Sequence, residues 1–197
     1  MISILDYGAG NLRSVQNTLA ELGAEFELVH DSVKLKQATK IILPGVGHFG
    51  QMMRALDQMQ VRTALLERIH AGVPFLGICL GLQALFQSSE EAPDVRGLAV
   101  FDGEIRRFPT GARVPHMGWN EIEPRQKSKL LRNVAAHPFL YFAHSYYAPL
   151  HTATAATCNY MLDYTAALES NNIYGVQFHP EKSGALGLQI VRNFVEL

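Results

Sequence analysis

In the first half of the chain, short apolar runs alternate with longer segments of helical period. Ile2 to Leu5 is apolar on both faces, as in a buried strand; Leu12, Val15, Leu19 and Leu22 then recur at helical spacing until Gly23 closes the segment. Phe26 to Val29 predicts a second strand, Ile41-Ile42-Leu43 a third ended by Pro44-Gly45, and Pro74-Phe75-Leu76-Gly77-Ile78 a fourth. Helical patterns lie between most of them, notably Met52 to Ala71. Strands apolar on both faces and joined by helices imply a parallel sheet with both faces covered.

The second half changes character. Strand-like runs at Leu98 to Phe101, Glu104 to Phe108, Phe139 to Ala143, Tyr164 to Leu168 and Ile173 to Phe178 are separated by turn residues at hairpin spacing. A last helix is expected from about Leu186 to Val195. The predicted fold is therefore α/β, an open, mostly parallel sheet flanked by helices, with additional antiparallel strands in the C-terminal half. No repeat, low-complexity tract or linker divides residues 1–197, so a single domain is expected.

Composition narrows the partners. Lys plus Arg number 17 against 18 Asp plus Glu, which removes the general electrostatic case for nucleic acid or an anionic membrane surface. The basic run Arg125 to Arg132 reads as a solvated face. No stretch approaches the ~20 apolar residues of a membrane helix, and the apolar start Met1 to Leu5 is too short for a signal peptide. With Cys79 and Cys158 far apart and outside any Cys-x-x-Cys, neither a disulfide framework nor a zinc knuckle is readable, and a reducing cytoplasm is the simplest setting. No cofactor or metal is expected.

The strongest local signal is Gly77-Ile78-Cys79-Leu80-Gly81-Leu82-Gln83, where a buried strand ends and a helix carrying Leu82, Leu85 and Phe86 is expected to begin. It has the layout of a nucleophile elbow with Cys in place of Ser. Glycines two before and two after Cys79 allow a sharp turn without a Cβ clash, and the sulfur comes to a helix N-terminus, where the dipole and free amides favour the anion. A lone Cys in apolar sequence is otherwise a small buried hydrophobe; the flanking glycines and the strand-to-helix position favour the nucleophile. Cys158, in Thr157-Cys158-Asn159, has no such context and reads as structural.

A thiol nucleophile needs a base, and among eight histidines only His179 has a carboxylate fixed next to it in a rigid setting, in Val176-Gln177-Phe178-His179-Pro180-Glu181. Pro180 pushes His179 toward extended backbone, and Glu181 is placed to orient the imidazole and stabilise its cation. Taken alone, the segment is equally a turn with an exposed His and a capping Glu. A zinc deaminase reading of His-x-Glu fails for want of Cys-x-x-Cys. For the oxyanion of acyl chemistry, the amide of Leu80 is one donor, and the turn Pro44-Gly45-Val46-Gly47 is expected to supply the second through Gly47, although by itself it is also a plain strand-ending turn. Gly8-Ala9-Gly10-Asn11-Leu12-Arg13, with Asp31 downstream, invites a dinucleotide reading, but Arg13 stands where the third glycine should be and a tight turn is preferred.

Through Pro44-Gly45-Val46-Gly47, Gly77 to Gln83 and His179-Pro180-Glu181, the chain resembles the class I, or triad, glutamine amidotransferases over nearly its whole length. The resemblance implies a flavodoxin-like arrangement, glutamine as substrate, and a Cys79, His179, Glu181 triad. It further implies that Gly45, Gln83, Glu91, Ser145 and Tyr146 surround the substrate. Three further stretches, Asp6 to Asn11, Val114 to Asn120 and Phe142 to Tyr147, point to a member of the class whose ammonia is used by a separate cyclase chain of (β/α)8 fold, in a heterodimer. In that case Asn11, Trp119 and Lys182 fall at interface positions. The rival readings are another cysteine hydrolase built on the same elbow, and a nucleotide-binding or scaffold domain using the Gly8 turn.

Overall fold

The computed structural model describes residues 1–8 and 12–197. In chain order its strands are β1 (Ile2–Leu5), β2 (Phe26–Val29), β3 (Ile41–Gly45), β4 (Phe75–Cys79), β5 (Phe86–Ser89), β6 (Phe101–Arg107), β7 (His116–Glu121), β8 (Glu123–Pro124), β9 (Phe139–His144), β10 (Tyr146–Tyr147), β11 (Thr154–Asn159), β12 (Asp163–Ser170) and β13 (Ile173–Val176). The helices are α1 (Leu12–Glu21), α2 (Ser32–Leu35), α3 (Phe49–Gln58), α4 (Arg62–His70), α5 (Leu80–Gln83) and α6 (Gly184–Val195), with a 3-10 turn at Pro180–Lys182.

Eight strands form the central sheet in the order β2-β1-β3-β4-β13-β12-β11-β8. The first five run parallel, and β12, β11 and β8 follow antiparallel, as the change of pattern along the chain predicted. Alternate residues of each central strand enter two separate cores. Leu5, Ile41, Leu43 and Phe75 pack with Met52, Leu56, Leu65 and Ile69 of α3 and α4. Ile4, Ile42, Leu76 and Ile78 pack with Val15 and Leu19 of α1 and with Ile190 and Phe194 of α6. Helices cover both faces, so the strands are apolar throughout.

Two small sheets extend the molecule beyond the carboxyl ends of the parallel strands. One has the order β10-β6-β5; the other is the antiparallel ribbon β7-β9. Among the described residues, no helix is long and apolar enough to cross a membrane.

Several boundaries differ from expectation, each for a local reason. The Met52 to Ala71 pattern is two helices, broken where Gln60 takes a φ of 55°. Leu98 to Phe101 is not a strand because Ala99 sits at φ 54°; only Phe101 joins β6. The helix after the elbow stops at Gln83, and Phe86 begins β5 instead. Strand β3 runs through Pro44 and Gly45, held in register by β4. Asp31 caps α2, accepting the Lys34 N–H at 2.9 Å, which gives it a structural role in place of a ribose contact. The basic run lies at the surface among acids: Arg125 faces Glu123 and Asp163, and Arg132 meets Glu196 at 2.8 Å.

Two histidines, paired across the ribbon, are buried as neutral groups. The Tyr146 carbonyl can only accept, so His144 Nδ1 donates to it at 2.8 Å, leaving Nε2 to accept from the Tyr164 hydroxyl at 3.2 Å. That hydroxyl accepts in turn from His116 Nδ1 at 3.3 Å, and His116 Nε2 faces the Asn120 amide at 3.3 Å. Burial pushes His116 down to about 4 and His144 down to about 3. Both therefore stay neutral in the folded chain while their unfolded counterparts take up protons below about pH 6.5, so stability falls as pH falls. Between pH 7 and pH 5 the pair is expected to remove on the order of 3 kcal/mol of folding free energy. Urea unfolding at the two pH values measures this; an unchanged midpoint would show that these rings are solvated.

Candidate active site

Parallel pairing of β4 with both β3 and β13 brings three distant segments to one edge of the sheet. Gly45 is in register with Cys79, and Ile78 with Val176, so the chain leaving β13 passes beside the elbow. Cys79 ends β4 at φ 54° and ψ −107° and turns directly into α5. Such a conformation costs a non-glycine residue about 1–3 kcal/mol, and the packing around it enforces it. A Cβ on Gly77 would lie 2.4 Å from the Gly81 carbonyl oxygen, and one on Gly81 would lie 2.0 Å from the Leu43 carbonyl oxygen. The glycines let a single turn of helix rest on the strands, while the strained turn falls on Cys79 itself. Because α5 has only four residues, a long helix dipole does not act on the sulfur.

His179 is extended at φ −100° and ψ 95°, as the following proline requires. Its N–H donates to Tyr141 O at 2.8 Å, and the Ser183 hydroxyl donates to its carbonyl at 2.7 Å while accepting from Tyr141 N–H, which ties the segment to β9. The ring Nδ1 is 2.8 Å from Glu181 Oε1, with both side chains almost wholly buried. A carboxylate accepts only, so Nδ1 carries a proton and Nε2 is left for the sulfur. Burial works against the imidazolium, but the Cys79 anion and its hydrogen bond, joined by Glu181, outweigh it and push His179 up to about 10. The stability from this pairing is complete below about pH 6.5 and fades as pH rises through about 10, so it plays no part in the acid loss described above.

The sulfur lies at the floor of a cleft of about 330 Å³. Val46, Gly47, Leu80, Gln83, Glu91, Ser145, Tyr146, His179 and Lys182 are among its walls, which gathers most of the residues named from sequence. Glu91 is fixed at the mouth by the Phe49 N–H, which donates to its Oε2 at 2.7 Å. Gly47 stands at φ 96° with open space where a side chain would be. Gly45 is the exception: it lies beneath the wall, where a Cβ would sit 2.6 Å from Gly81 N, so it acts through close packing of β3 on α5. One further residue belongs to the His179 segment, yet sequence alone assigns it no role. Gln177, fully buried, directs its Nε2 at Cys79 Sγ from 3.6 Å; a polar residue between Val176 and Phe178 at the end of an apolar strand was the signal for it.

Trp119 is 56 % exposed on β7, and its ring meets Tyr141 edge-on at 6.2 Å. Lys182, which lines the cleft, sets its Nζ over the same tyrosine ring at 5.8 Å, so Tyr141 connects Trp119 to the cleft's lysine. Asn11 lies outside the described residues. Cys158 is buried on β11, with burial pushing its thiol up to about 11, as a structural cysteine requires.

The arrangement can perform acyl transfer. It has a cysteine sulfur on a strained turn, an imidazole oriented by a buried carboxylate, amides at the start of a helix, and a small cleft with a fixed carboxylate. A family model described as glutamine amidotransferase class-I matches residues 3–197. An imidazole glycerol phosphate synthase subunit HisH of Methanothermobacter thermautotrophicus is 48 % identical over 198 positions, covering 100 % of this chain and 98 % of that one. The protein of the same name from Chlorobium luteolum is 44 % identical over 200 positions, covering 100 % of both. Among solved structures, one titled glutamine amidotransferase aligns with a TM-score of 0.78 at 18 % identity, covering 99 % of this chain and 97 % of that one. PurLQS from Thermotoga maritima aligns with a TM-score of 0.76 at 18 % identity and the same coverage. At those identities the structures speak for the fold, and the family match with the full-length relatives speaks for kinship: the chain belongs to the class I glutamine amidotransferases.

Proposed function

We propose that this chain is the glutaminase subunit of an imidazole glycerol phosphate synthase, a single amidotransferase domain that hydrolyses glutamine to glutamate and ammonia. The observation that carries the reading is that Cys79 and His179 line one cleft while Glu181, outside its lining, holds His179 Nδ1 at 2.8 Å. Cys79 attacks the side-chain amide of glutamine, and the oxyanion is held by the amides of Leu80 and Gly47. His179 protonates the departing nitrogen, then activates the water that cleaves the thioester, while Glu181 holds the ring. Glu91 receives the substrate's α-ammonium, and Gln83, Ser145 and Tyr146 supply polar contacts.

The ammonia passes to a cyclase chain of (β/α)8 fold that yields imidazole glycerol phosphate and an aminoimidazole carboxamide ribotide in histidine biosynthesis. Free ammonia in water is largely protonated and no longer nucleophilic, so the cleft edge docks against that partner in a cytoplasmic heterodimer. Trp119 and Lys182 form part of this edge. Replacement Trp119→Ala is expected to weaken the partner complex at least about 30-fold, the scale of an aromatic anchor. Titration calorimetry with the cyclase chain measures it, and unaltered affinity would place the interface elsewhere. The Val46-Gly47 peptide is the gate of the oxyanion site, so turnover of the isolated chain should be low and should rise with partner and ligand.

The whole reading is tested by mixing the chain with the cyclase subunit and supplying glutamine as the nitrogen source. Glutamate release, nitrogen transfer into the cyclase product, and glutamine protection of Cys79 from an amide-mimicking electrophile are expected. Absence of glutamate release with and without the partner would refute it.

A further inference from the structure

We propose that Gln177 is a catalytic residue: its side-chain amide donates to the Cys79 sulfur and holds it as the attacking anion, in an orientation set by Gln83 and the main-chain carbonyl of Tyr146. This rests on the reading of Cys79 as the nucleophile and adds a group to it.

The direction of each amide follows from one fixed acceptor. Tyr146 O, a carbonyl, can only accept, and Gln83 Nε2 donates to it at 2.8 Å. The second proton of the same Nε2 goes to Gln177 Oε1 at 3.1 Å. With its oxygen thus committed, Gln177 has only Nε2 to present to the sulfur, at 3.6 Å. Reversing Gln83 would oppose two carbonyl oxygens, and reversing Gln177 would oppose two NH2 groups while turning an oxygen toward an anion. Gln177 is 0 % and Gln83 3 % exposed, so water is not at hand to repair either error. His144 Nδ1, donating to the same carbonyl at 2.8 Å, helps hold the anchor in place.

Backbone geometry places the donor where the chemistry needs it. Gln177 and His179 are two residues apart in extended chain, so they share a face, and parallel pairing of β13 with β4 turns that face toward Cys79. His179 supplies the cation and the proton route, whereas Gln177 supplies a neutral donor that never leaves. A hydrogen bond to the anion is lost when the sulfur is protonated, so its removal weakens the anion selectively.

The test is the pH dependence of Cys79 alkylation by iodoacetamide in the full chain, read at the Cys79 peptide by mass spectrometry. Gln177→Met, which removes the donor at similar volume, is expected to move the acidic limb up by about one pH unit, a tenfold loss of reactive sulfur on that limb. Gln177→Glu, which turns a carboxylate toward the sulfur, should move it further. A purely structural role would lower the melting temperature or the alkaline plateau without moving the limb, and an unmoved limb in folded variants overturns the proposal. If Gln177→Met does not fold, the isosteric Gln177→Glu carries the same test. Because iodoacetamide does not require glutamine, a chain lacking glutaminase activity would refute the proposed function and leave this result readable.

Discussion

Replacement Cys79→Ala is expected to abolish glutamate release, lowering turnover by at least about 10⁴-fold, with the fold intact. The sulfur is the atom that bonds to substrate, and no other thiol lines the cleft. The fold should survive because Cys79 lines the cleft, where its polar partners are Gln177 and His179, and alanine retains its place in the surrounding core. Alanine keeps the Cβ and therefore meets the same φ of 54° at β4's end without adding a clash. Glutamate release from the complex and thermal melting of the variant check both halves. Turnover within tenfold of the parent would mean that another group attacks, and the triad would be wrong.

A second large effect is expected from Gly81→Ala, at a position with no chemical role of its own. The added Cβ would lie 2.0 Å from Leu43 O and 3.1 Å from Leu43 C, both main-chain atoms of β3 with no freedom to retreat. Overpacking a side-chain contact typically costs about 1–3 kcal/mol. A backbone collision is worse, and a loss of about 4 kcal/mol or more is expected, together with activity, since α5 must lift from the sheet and carry the Leu80 amide away. Gly47→Ala makes the contrast. Its Cβ meets nothing within 4 Å, so the cost is the φ of 96° alone, about 1–3 kcal/mol. Denaturant unfolding of both variants decides: equal losses would show that the elbow is free to lift from β3 at little cost.

Most longer elements with branched or aromatic residues were legible in the sequence, as was β6 from Glu104 onward, whereas β11, β7 and the two-residue β10 were not. Strands β1 to β4 and β12, and the last helix, follow directly from apolar runs or helical spacing. Strand β11, Thr154–Asn159, escaped because Thr, Ala and Cys carry little hydrophobic signal. They are buried all the same, since β11 lies between β12 and β8. Strand β7 escaped because Gly118 interrupts it at φ 133°. Leu85 and Phe86 gave a false helical pattern, since both are core residues although Leu85 lies in a turn and Phe86 opens β5.

For the site, sequence identified the residues whose immediate neighbours reveal their role, namely Cys79 between its glycines and His179 before its proline and glutamate. These are statements about nearby backbone, and local geometry is what adjacent residues determine. It did not reveal Gln177 as a donor to sulfur, or Gly45 as packing beneath α5, because each depends on atoms far away in the chain. Residue 79 meets residues 177 and 179 only because β13 runs parallel to β4 in one register. The direction of the Gln177 amide is decided farther still, by a carbonyl at residue 146 acting through residue 83. Local sequence thus specified a cysteine held in a strained turn and a histidine with a carboxylate beside it. Long-range strand pairing and burial made them neighbours, because only the assembled sheet brings such distant groups together and excludes the water that would otherwise satisfy them.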